Sequence, residues 1–380
     1  SYIKPEQSLY RNIVRAGQKP PRKQEFGELY YRDTADMLGE FSFLGPEKAR
    51  ELVILNPKEL IKDIPDLKPF PDGRFPPVIE GSDQELRNTC YTRAKKRYGD
   101  PLPKLIQDRL EYELKSIIGN GFAVLYIIAE KIVQKSLENG YLVGSRGSVG
   151  SSFAANMSGI TEVNPLPPHY YCPDCQVVEF VDATTIGNGH DLPDKMCPKC
   201  SKPFKKDGFN IPFESFMGFE GNKEPDIDLN FAPLMQGFIH KYTEELFGKG
   251  KVFKAGTVGT IADKTAYGYV KKYYDERDQE ISNREADRIS KNIAGMRRST
   301  GQHPGGIIVV PDSNDITDFT PIQYPANDPS SGVITTHYDY HSGLEGRLLK
   351  LDILGHDVPA IIRDLQDMTG VELDEIKFDD

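Results

Sequence analysis

The sequence predicts an α+β chain, with helical and strand-forming stretches segregated along it. Three observations carry this. Two consecutive helical patterns fill residues 105–137, and a mostly helical stretch covers 238–295. Strand-like segments surround Asp228 and occupy residues 307–310, 333–340 and 348–354. Strands and helices grouped apart, without regular alternation, read as α+β.

The 380 residues suffice for two or three domains with a sizeable core. A hydrophobic content of 38% with no long apolar run excludes a transmembrane helix. No signal peptide is visible, and both ends, Ser1-Tyr2 and Phe378-Asp379-Asp380, read as cuts in a longer protein. Four of the five cysteines form two Cys-x-x-Cys pairs, which favours a reducing cytoplasm over a disulfide scaffold. A net charge of −10 argues against a protein that coats nucleic acid by bulk charge. Basic runs at Arg93–Arg97, Lys249–Lys254, Lys271-Lys272 and Arg297-Arg298 could still line a groove.

Residues 1–30 are polar and lack clear periodicity, as expected of a linker. Residues 33–66 hold short helical patterns broken by prolines, and 70–77 form a loop. Ser82 or Asp83 caps a helix running to about Tyr98. Leu105, Leu110, Leu114, Ile117 and Ile118 recur at helical spacing until Gly119-Asn120-Gly121, and a more apolar helix then runs from Phe122 to about Leu137. Residues 161–219, rich in Pro, Cys, Gly and Asp, read as an insertion.

Asp226 and Asp228, in Pro225-Asp226-Ile227-Asp228-Leu229-Asn230-Phe231, are spaced to leave one face of a strand while Ile227, Leu229 and Phe231 pack on the other. Two carboxylates this close repel each other and favour a hard cation such as Mg²⁺ between them. Asp352 stands between apolar residues on a second strand, where an aspartate is costly to bury unless paired or metal-bound.

Gly144-Ser145-Arg146-Gly147-Ser148 opens a Gly/Ser loop before an apparent helix at 153–157. Small residues, serine hydroxyls, one arginine and free N–H groups at a helix start make a phosphate cradle, the alternative being a flexible loop. Cys172-x-x-Cys175 and Cys197-x-x-Cys200, with 21 residues between the pairs, can close a tetrahedron of thiolates around a structural Zn²⁺. Cys90 reads as a buried small hydrophobe. Arg297, Arg298 and His303 precede a glycine pair and a strand. They suggest an anion-facing loop, although a loop with a structural histidine is the plainer reading. His337, Asp339 and His341 share a strand face and read as outward polar residues. Lys264 reads by default as a surface lysine.

Taken in order, several runs resemble the C family of bacterial replicative DNA polymerases, the alpha subunit of DNA polymerase III, in its PolC form. These are Gly144–Ser152, Val163–Tyr170, the four-cysteine segment, Pro225–Phe231, Thr300–Val310 and Leu348–Asp357. The likeness covers nearly the whole chain. It implies a palm with a polymerase-β-like nucleotidyltransferase fold, a zinc-binding insertion and a helical thumb. Its implied order is a linker and palm-flanking segment (1–83), then palm with helical hairpin and phosphate loop (84–160), and the zinc insertion (161–219). The Asp-x-Asp strand (220–237), the thumb (238–300), the third-aspartate strand (301–358) and the start of the fingers (359–380) follow. Asp226, Asp228 and Asp352 would hold two Mg²⁺ ions for transfer of a dNTP to a primer 3′-hydroxyl. Gly144, Ser145, Arg146, Gly147 and Ser148 would hold the nucleotide's phosphates. Lys264, Lys271, Lys272, Arg297, Arg298 and His303 would touch primer-template DNA. Other domains of the full-length enzyme, and through them the sliding clamp, would be partners. Residues 232–239 are more apolar than the family's usual continuation after the Asp-x-Asp strand, and 343–346 look irregular. The isolated chain is expected to be weak or inactive. The competing reading is a zinc ribbon that binds nucleic acid or protein without catalysis.

Overall fold

The computed structural model describes residues 7–17, 30–221, 223 and 225–372. Four short helices come first: α1 (Ser8–Gly17), α2 (Thr34–Glu40), α3 (Pro46–Arg50) and α4 (Asn56–Lys62). Three longer ones follow: α5 (Ser82–Tyr98), α6 (Lys104–Gly119) and α7 (Ala123–Glu138). The middle of the chain gives β1 (Gly144–Arg146), α8 (Phe153–Ser158), β2 (His169–Tyr171), β3 (Val178–Phe180), β4 (Lys205–Asp207) and α9 (Glu214–Met217). Next come β5 (Asp228–Phe231), α10 (Pro233–Phe247), β6 (Val252–Thr260), α11 (Asp263–Asp275) and α12 (Asn283–Ile293). The chain closes with β7 (Arg297–Val309), β8 (Ile322–Gln323), β9 (Thr335–Asp339), β10 (Leu349–Gly355) and α13 (Asp357–Thr369).

Two compact units result. One comprises Asp72–Gly256 with Gln302–Asp380, the other Ser1–Pro71 with Thr257–Gly301. Seven strands form a mixed sheet in the order β1-β5-β10-β7-β6-β9-β8, most of whose residues belong to the first unit, while residues 257–260 of β6 and 297–301 of β7 belong to the second. β10 runs parallel to β5 and antiparallel to β7, and β1 runs antiparallel to β5. Alternation along β7 sends Ile307 and Val309 to one core and Ile308 and Val310 to another. The first core contains Ala123–Ala129, Ile132 and Val133 of α7, whose first seven residues are apolar on every side, together with the inner face of α6 and Met235 and Ile239 of α10. The apolar run after the Asp-x-Asp strand thus becomes a helix packed in this core. Among the described residues no single helix is long and apolar enough to cross a membrane. The pair α6 and α7 reaches that apolarity only across a 107° bend.

The cysteine-bearing segment is folded and anchored. β3, β2 and β4 form a small sheet. His169 of β2 is fully buried, its Nε2 lying 3.2 Å from the Tyr98 hydroxyl of α5, to which Asn164 Nδ2 donates at 2.8 Å.

Several expectations need correction. The helix from Ser82 is capped by Gly81, at φ +77°, so Ser82 and Asp83 fall inside its first turn. Residues 8–17, read as part of a linker, form a helix that buries Ile13 and Val14 in the smaller unit against Val270 of α11 and Ile289 of α12. Of the segment 1–30, residues 1–6 and 18–29 lie outside the described residues, as do 373–380 at the other end. The stretch 238–295 is interrupted by nine-residue β6. Residues 297–306 are part of strand β7, not a loop before one. His341 leaves the face it was expected to share with His337 and Asp339, because the chain coils into a π-type turn at Tyr340–Leu344.

Candidate active site and cysteine cluster

The sheet sets four residues in one row across adjoining strands. Arg146 of β1 pairs with Asp228 of β5, Asp228 with Asp352 of β10, and Asp352 with Gly306 of β7. Asp226 lies just before β5. Carboxylate oxygens of Asp226, Asp228 and Asp352 all fall within 4.8 Å of one another, and burial deepens from exposed Asp226 through half-buried Asp228 to buried Asp352.

The electrostatics are those of crowded carboxylates. The Asp228 carboxyl is pushed above the usual carboxylate range by burial and by the charges of Asp226 and Asp352, against the pull of Arg146. The Arg146 guanidinium stands 3.5 Å from Asp228 Oδ2 on an exposed side chain. Lys350, two residues before Asp352 on the same strand face, donates to Asp352 Oδ2 at 2.7 Å. Asp352 Oδ1 is buried with no hydrogen-bond partner. An orphaned buried carboxylate oxygen beside two further carboxylates fits hard divalent cations.

On the other side of Asp352 the strand β7 folds onto its own side chain. His303 Nδ1 accepts from the N–H groups of Gly306 (2.6 Å) and Gly305 (3.3 Å), which places the imidazole proton on Nε2. Burial, then Lys350, depress the His303 pKa and keep the ring neutral. A Cβ on Gly306 would lie 2.7 Å from His303 Nδ1, and one on Gly305 would lie 2.5 Å from the Ile353 carbonyl oxygen. Glycine at both positions lets the strand pass this close to Ile353 and to the His303 ring.

The presumed phosphate cradle is built differently from expectation. Residues 144–146 are a strand paired to β5, and 147–151 a 3₁₀ turn. The N–H groups opening α8 are not free. Glu113 of α6, fully buried, accepts from Phe153 N–H (3.0 Å), Ala154 N–H (2.9 Å) and Ser152 Oγ (2.9 Å), while Ser152 Oγ caps Ala155 N–H. Arg109, one turn earlier on α6, pairs with Glu113 and donates to the carbonyls of Ser151 and Ile211. An internal carboxylate thus sits where an external anion was expected. Ser145 Oγ is held 2.7 Å from Thr161 Oγ1. That leaves exposed Gly144, Arg146 and Gly147 as the outward groups of the loop. The sequence signal for Glu113 was available: a carboxylate among Leu110, Leu114 and Ile117 on the buried face of α6.

Of the other residues singled out, Lys264 is exposed in the first turn of α11, and Arg297 and Arg298 are exposed at the start of β7. Lys271 donates to the Ile281 carbonyl (3.2 Å), and Lys272 pairs with Glu276 (3.4 Å). These five belong to the smaller unit.

The four cysteines converge separately. Their sulfurs lie within 4.8 Å of one another, with 3.2 Å between Cys175 and Cys197, 3.4 Å between Cys172 and Cys200, and 3.7 Å between Cys175 and Cys200. A tetrahedral zinc with Zn–S of about 2.3 Å sets such edges near ~3.8 Å. Each pair closes the same turn: Gln176 N–H donates to the Cys172 carbonyl and Ser201 N–H to that of Cys197, with φ of +61° and +57° at Gln176 and Ser201. The Cys175 N–H pulls the Cys172 thiol down to about 6, whereas burial and the neighbouring sulfurs push Cys175 up to about 12. Four sulfurs this close fit one soft cation, whose binding would draw off the remaining thiol protons. Cys90 is fully buried in α5, its thiol donating to the Ala154 carbonyl at 3.4 Å.

Comparison with known proteins gives these sites a context. The family model described as the bacterial DNA polymerase III alpha NTPase domain matches residues 84–284 and 270–355. A PolC-type DNA polymerase III of Caldanaerobacter subterraneus subsp. tengcongensis is 60% identical over 352 residues, 93% of this chain and 25% of its own length. Those of Halalkalibacterium halodurans and Bacillus subtilis are 54% and 52% identical over 382 residues, covering 100% of this chain and 27% and 26% of their own length. The chain therefore spans about a quarter of the length of these relatives.

Proposed function

The chain belongs to the bacterial DNA polymerase III alpha family, and on that premise we propose that it forms the palm and thumb of a cytoplasmic replicative DNA polymerase, joining dNTPs to a primer 3′-hydroxyl. One observation carries this: Asp228 and Asp352 face each other in register, with Asp226 beside them, their oxygens within 4.8 Å. In this reading the sheet of the larger unit is a nucleotidyltransferase palm of the polymerase-β type. Two Mg²⁺ ions held by Asp226, Asp228 and Asp352 would supply the Lewis-acid activation of the 3′-hydroxyl and the neutralisation of the triphosphate.

The chain's own residues do the rest. The β5–β10 ladder fixes the spacing of Asp228 and Asp352, so their carboxylates need no rearrangement at the moment of reaction. Arg146 exchanges Asp228 for a phosphate oxygen, a stronger charge-assisted partner. The outward backbone of residues 144–148 approaches the same phosphates. His303, with Nδ1 occupied, offers its Nε2–H to a phosphate or primer end. Lys264, Lys271, Lys272, Arg297 and Arg298 meet the DNA backbone without reading sequence. Zn²⁺ at Cys172, Cys175, Cys197 and Cys200 is structural, since a site closed by four thiolates has no open position for catalysis. Further domains of the full-length enzyme, and the sliding clamp reached through them, complete the machine.

The test is Mn²⁺ binding followed by electron paramagnetic resonance, together with primer extension. Binding should vanish in Asp226→Ala. Unchanged binding would favour the zinc-ribbon alternative, a module that grips nucleic acid or protein without chemistry. The isolated chain should extend a primer weakly or not at all, and robust Mg²⁺-dependent synthesis would overturn that expectation.

A further inference from the structure

The ladder between β10 and β7 stops at the pair Asp352–Gly306. One step further an antiparallel ladder would supply donors to the next carbonyls. None is available from β7: Pro304 has no N–H, and the N–H groups of Gly305 and Gly306 are turned onto His303 Nδ1. The carbonyls of Ile353 and Pro304 would be left without partners beside Asp352. A side chain from a different element takes the place of the missing donors. Gln236, in the first turns of α10, donates from Nε2 to the Pro304 carbonyl at 2.7 Å and to the Ile353 carbonyl at 2.8 Å. The same face of α10 carries His240 one turn on. Its Nε2 is buried without a hydrogen-bond partner, and burial, aided by Lys254, drives its pKa down to about 4. Burial acts there against the Ile353 and Gly305 backbone, which favours the charged ring. Among the described residues Gln236 Nε2 is the side-chain donor to both the Pro304 and the Ile353 carbonyls.

We propose that Gln236 is a positioning residue for Asp352 and His303, acting through the backbone of both strands. Its NH₂ group pins the Ile353–Leu354 peptide of β10 to the Pro304–Gly305 peptide of β7, each one peptide beyond those that follow Asp352 and His303. It thereby holds the strands together where the sheet would otherwise part. On its other side β10 stays paired with β5 from Asp352 to Gly355, but towards β7 the pairing ends at Asp352, and a fraction of an ångström there matters in a metal cluster. The role rests on the metal-triad reading given above and adds to it a residue that touches neither metal nor substrate.

The test uses Mn²⁺ alone as the probe, the whole 380-residue chain, and two substitutions. Gln236→Leu keeps bulk and removes both donors. Gln236→Glu keeps shape and turns the donor into an acceptor facing two carbonyls. Both should weaken Mn²⁺ binding about tenfold, the usual loss when an outer partner of a metal ligand is removed. Melting temperature should fall by only a few degrees, the cost of two lost hydrogen bonds, and the cysteine site should keep its metal content, so that Mn²⁺ affinity measured well below the transition reads the positioning role. In an Asp352→Asn background Gln236→Leu should cause no further loss, because the coupling runs through that carboxylate. Parental Mn²⁺ affinity in both Gln236 variants, with weakened binding in Asp352→Asn, overturns the proposal alone. Parental affinity in Asp352→Asn overturns the metal triad and the proposal together.

Discussion

Asp228 and Asp352 stand opposite each other on neighbouring parallel strands although 124 residues of sequence separate their numbers (352 − 228), and each is hemmed by a cation, Arg146 on one side and Lys350 on the other. Their repulsion is partly relieved by these neighbours, and the divalent cation proposed above would relieve the rest.

Removing one charge should therefore stabilise the metal-free chain. Burial and the charges of Asp226 and Asp352 oppose ionisation of Asp228. Asp228→Asn is expected to raise the melting temperature without divalent cation by about 2–4 °C, roughly 1 kcal/mol. The stabilisation that Mn²⁺ gives the parent should disappear. Differential scanning calorimetry with and without Mn²⁺ reads both, and a lower metal-free melting temperature would count against the repulsion.

Lys350→Met should act in the opposite sense. The ammonium and Asp352 are 16% and 9% exposed, so the pair is largely desolvated. Breaking it leaves an uncompensated buried carboxylate, a loss of about 3 kcal/mol in the metal-free chain. Saturating Mn²⁺ should restore most of that, since the metal supplies the missing charge. Equal destabilisation with and without Mn²⁺ would assign Lys350 a packing role only.

Zinc removal should melt the cysteine module before the helical core. The module's apolar cluster is small: Tyr170, Cys172, Leu192, Cys197 and Phe204. Metal binding of this kind is folding free energy. After chelation, hydrogen exchange should rise across residues 170–207, while α6, α7 and the segment 213–217 packed in their core stay protected. Exchange rising equally in α6 and α7 would show that the module is not separately stabilised.

Acidification should destabilise the chain between about pH 6.5 and 4. Burial lowers the pKa of His169 and drives that of His240 down to about 4, against an unfolded value near ~6.5. In that window the unfolded chain binds more protons than the folded one, so stability is full above it and falls as pH drops. His240→Leu should flatten the profile of melting temperature against pH. An unchanged slope would assign the acid sensitivity elsewhere.

DNA binding should depend unequally on the basic residues of the smaller unit. Lys271 and Lys272 already have partners in Ile281 and Glu276, whereas Lys264, Arg297 and Arg298 are exposed. Replacing any of the last three by glutamine should reduce the slope of log affinity against log salt by about 1 if it neutralises a phosphate. Lys272→Gln should change it less. Fluorescence anisotropy across a salt series decides, and an identical slope for every variant would remove these residues from the interface.

Much of this architecture was legible because short-range patterns carry it. The 3.6-residue spacing from Leu105 to Ile118 gave α6, the alternation around Asp228 gave β5, and the matched Cys-x-x-Cys spacing brought four sulfurs together. Other features depend on partners distant in sequence. No local signal puts Asp352 in register with Asp228, or brings Glu113 across 40 residues to Phe153. β6 was hidden because Gly256 and Gly259 blur its alternation, and Gly256 is required where a Cβ would fall 2.0 Å from the Thr336 carbonyl oxygen. The helix at Ser8–Gly17 was hidden by the polar residues around its few apolar ones.

The carboxylate of Glu113 has one more implication. By filling the start of α8 with an anion from its own chain, the protein gives the turn at residues 147–151 its shape with no visitor present. The entropy of ordering that turn is lost once, at folding, and not again at each encounter. A nucleotide arriving at Gly144–Arg146 would meet a surface already set. Selection among visitors then falls to what lies outside the turn, the reach of Arg146 and the shape of the space before it.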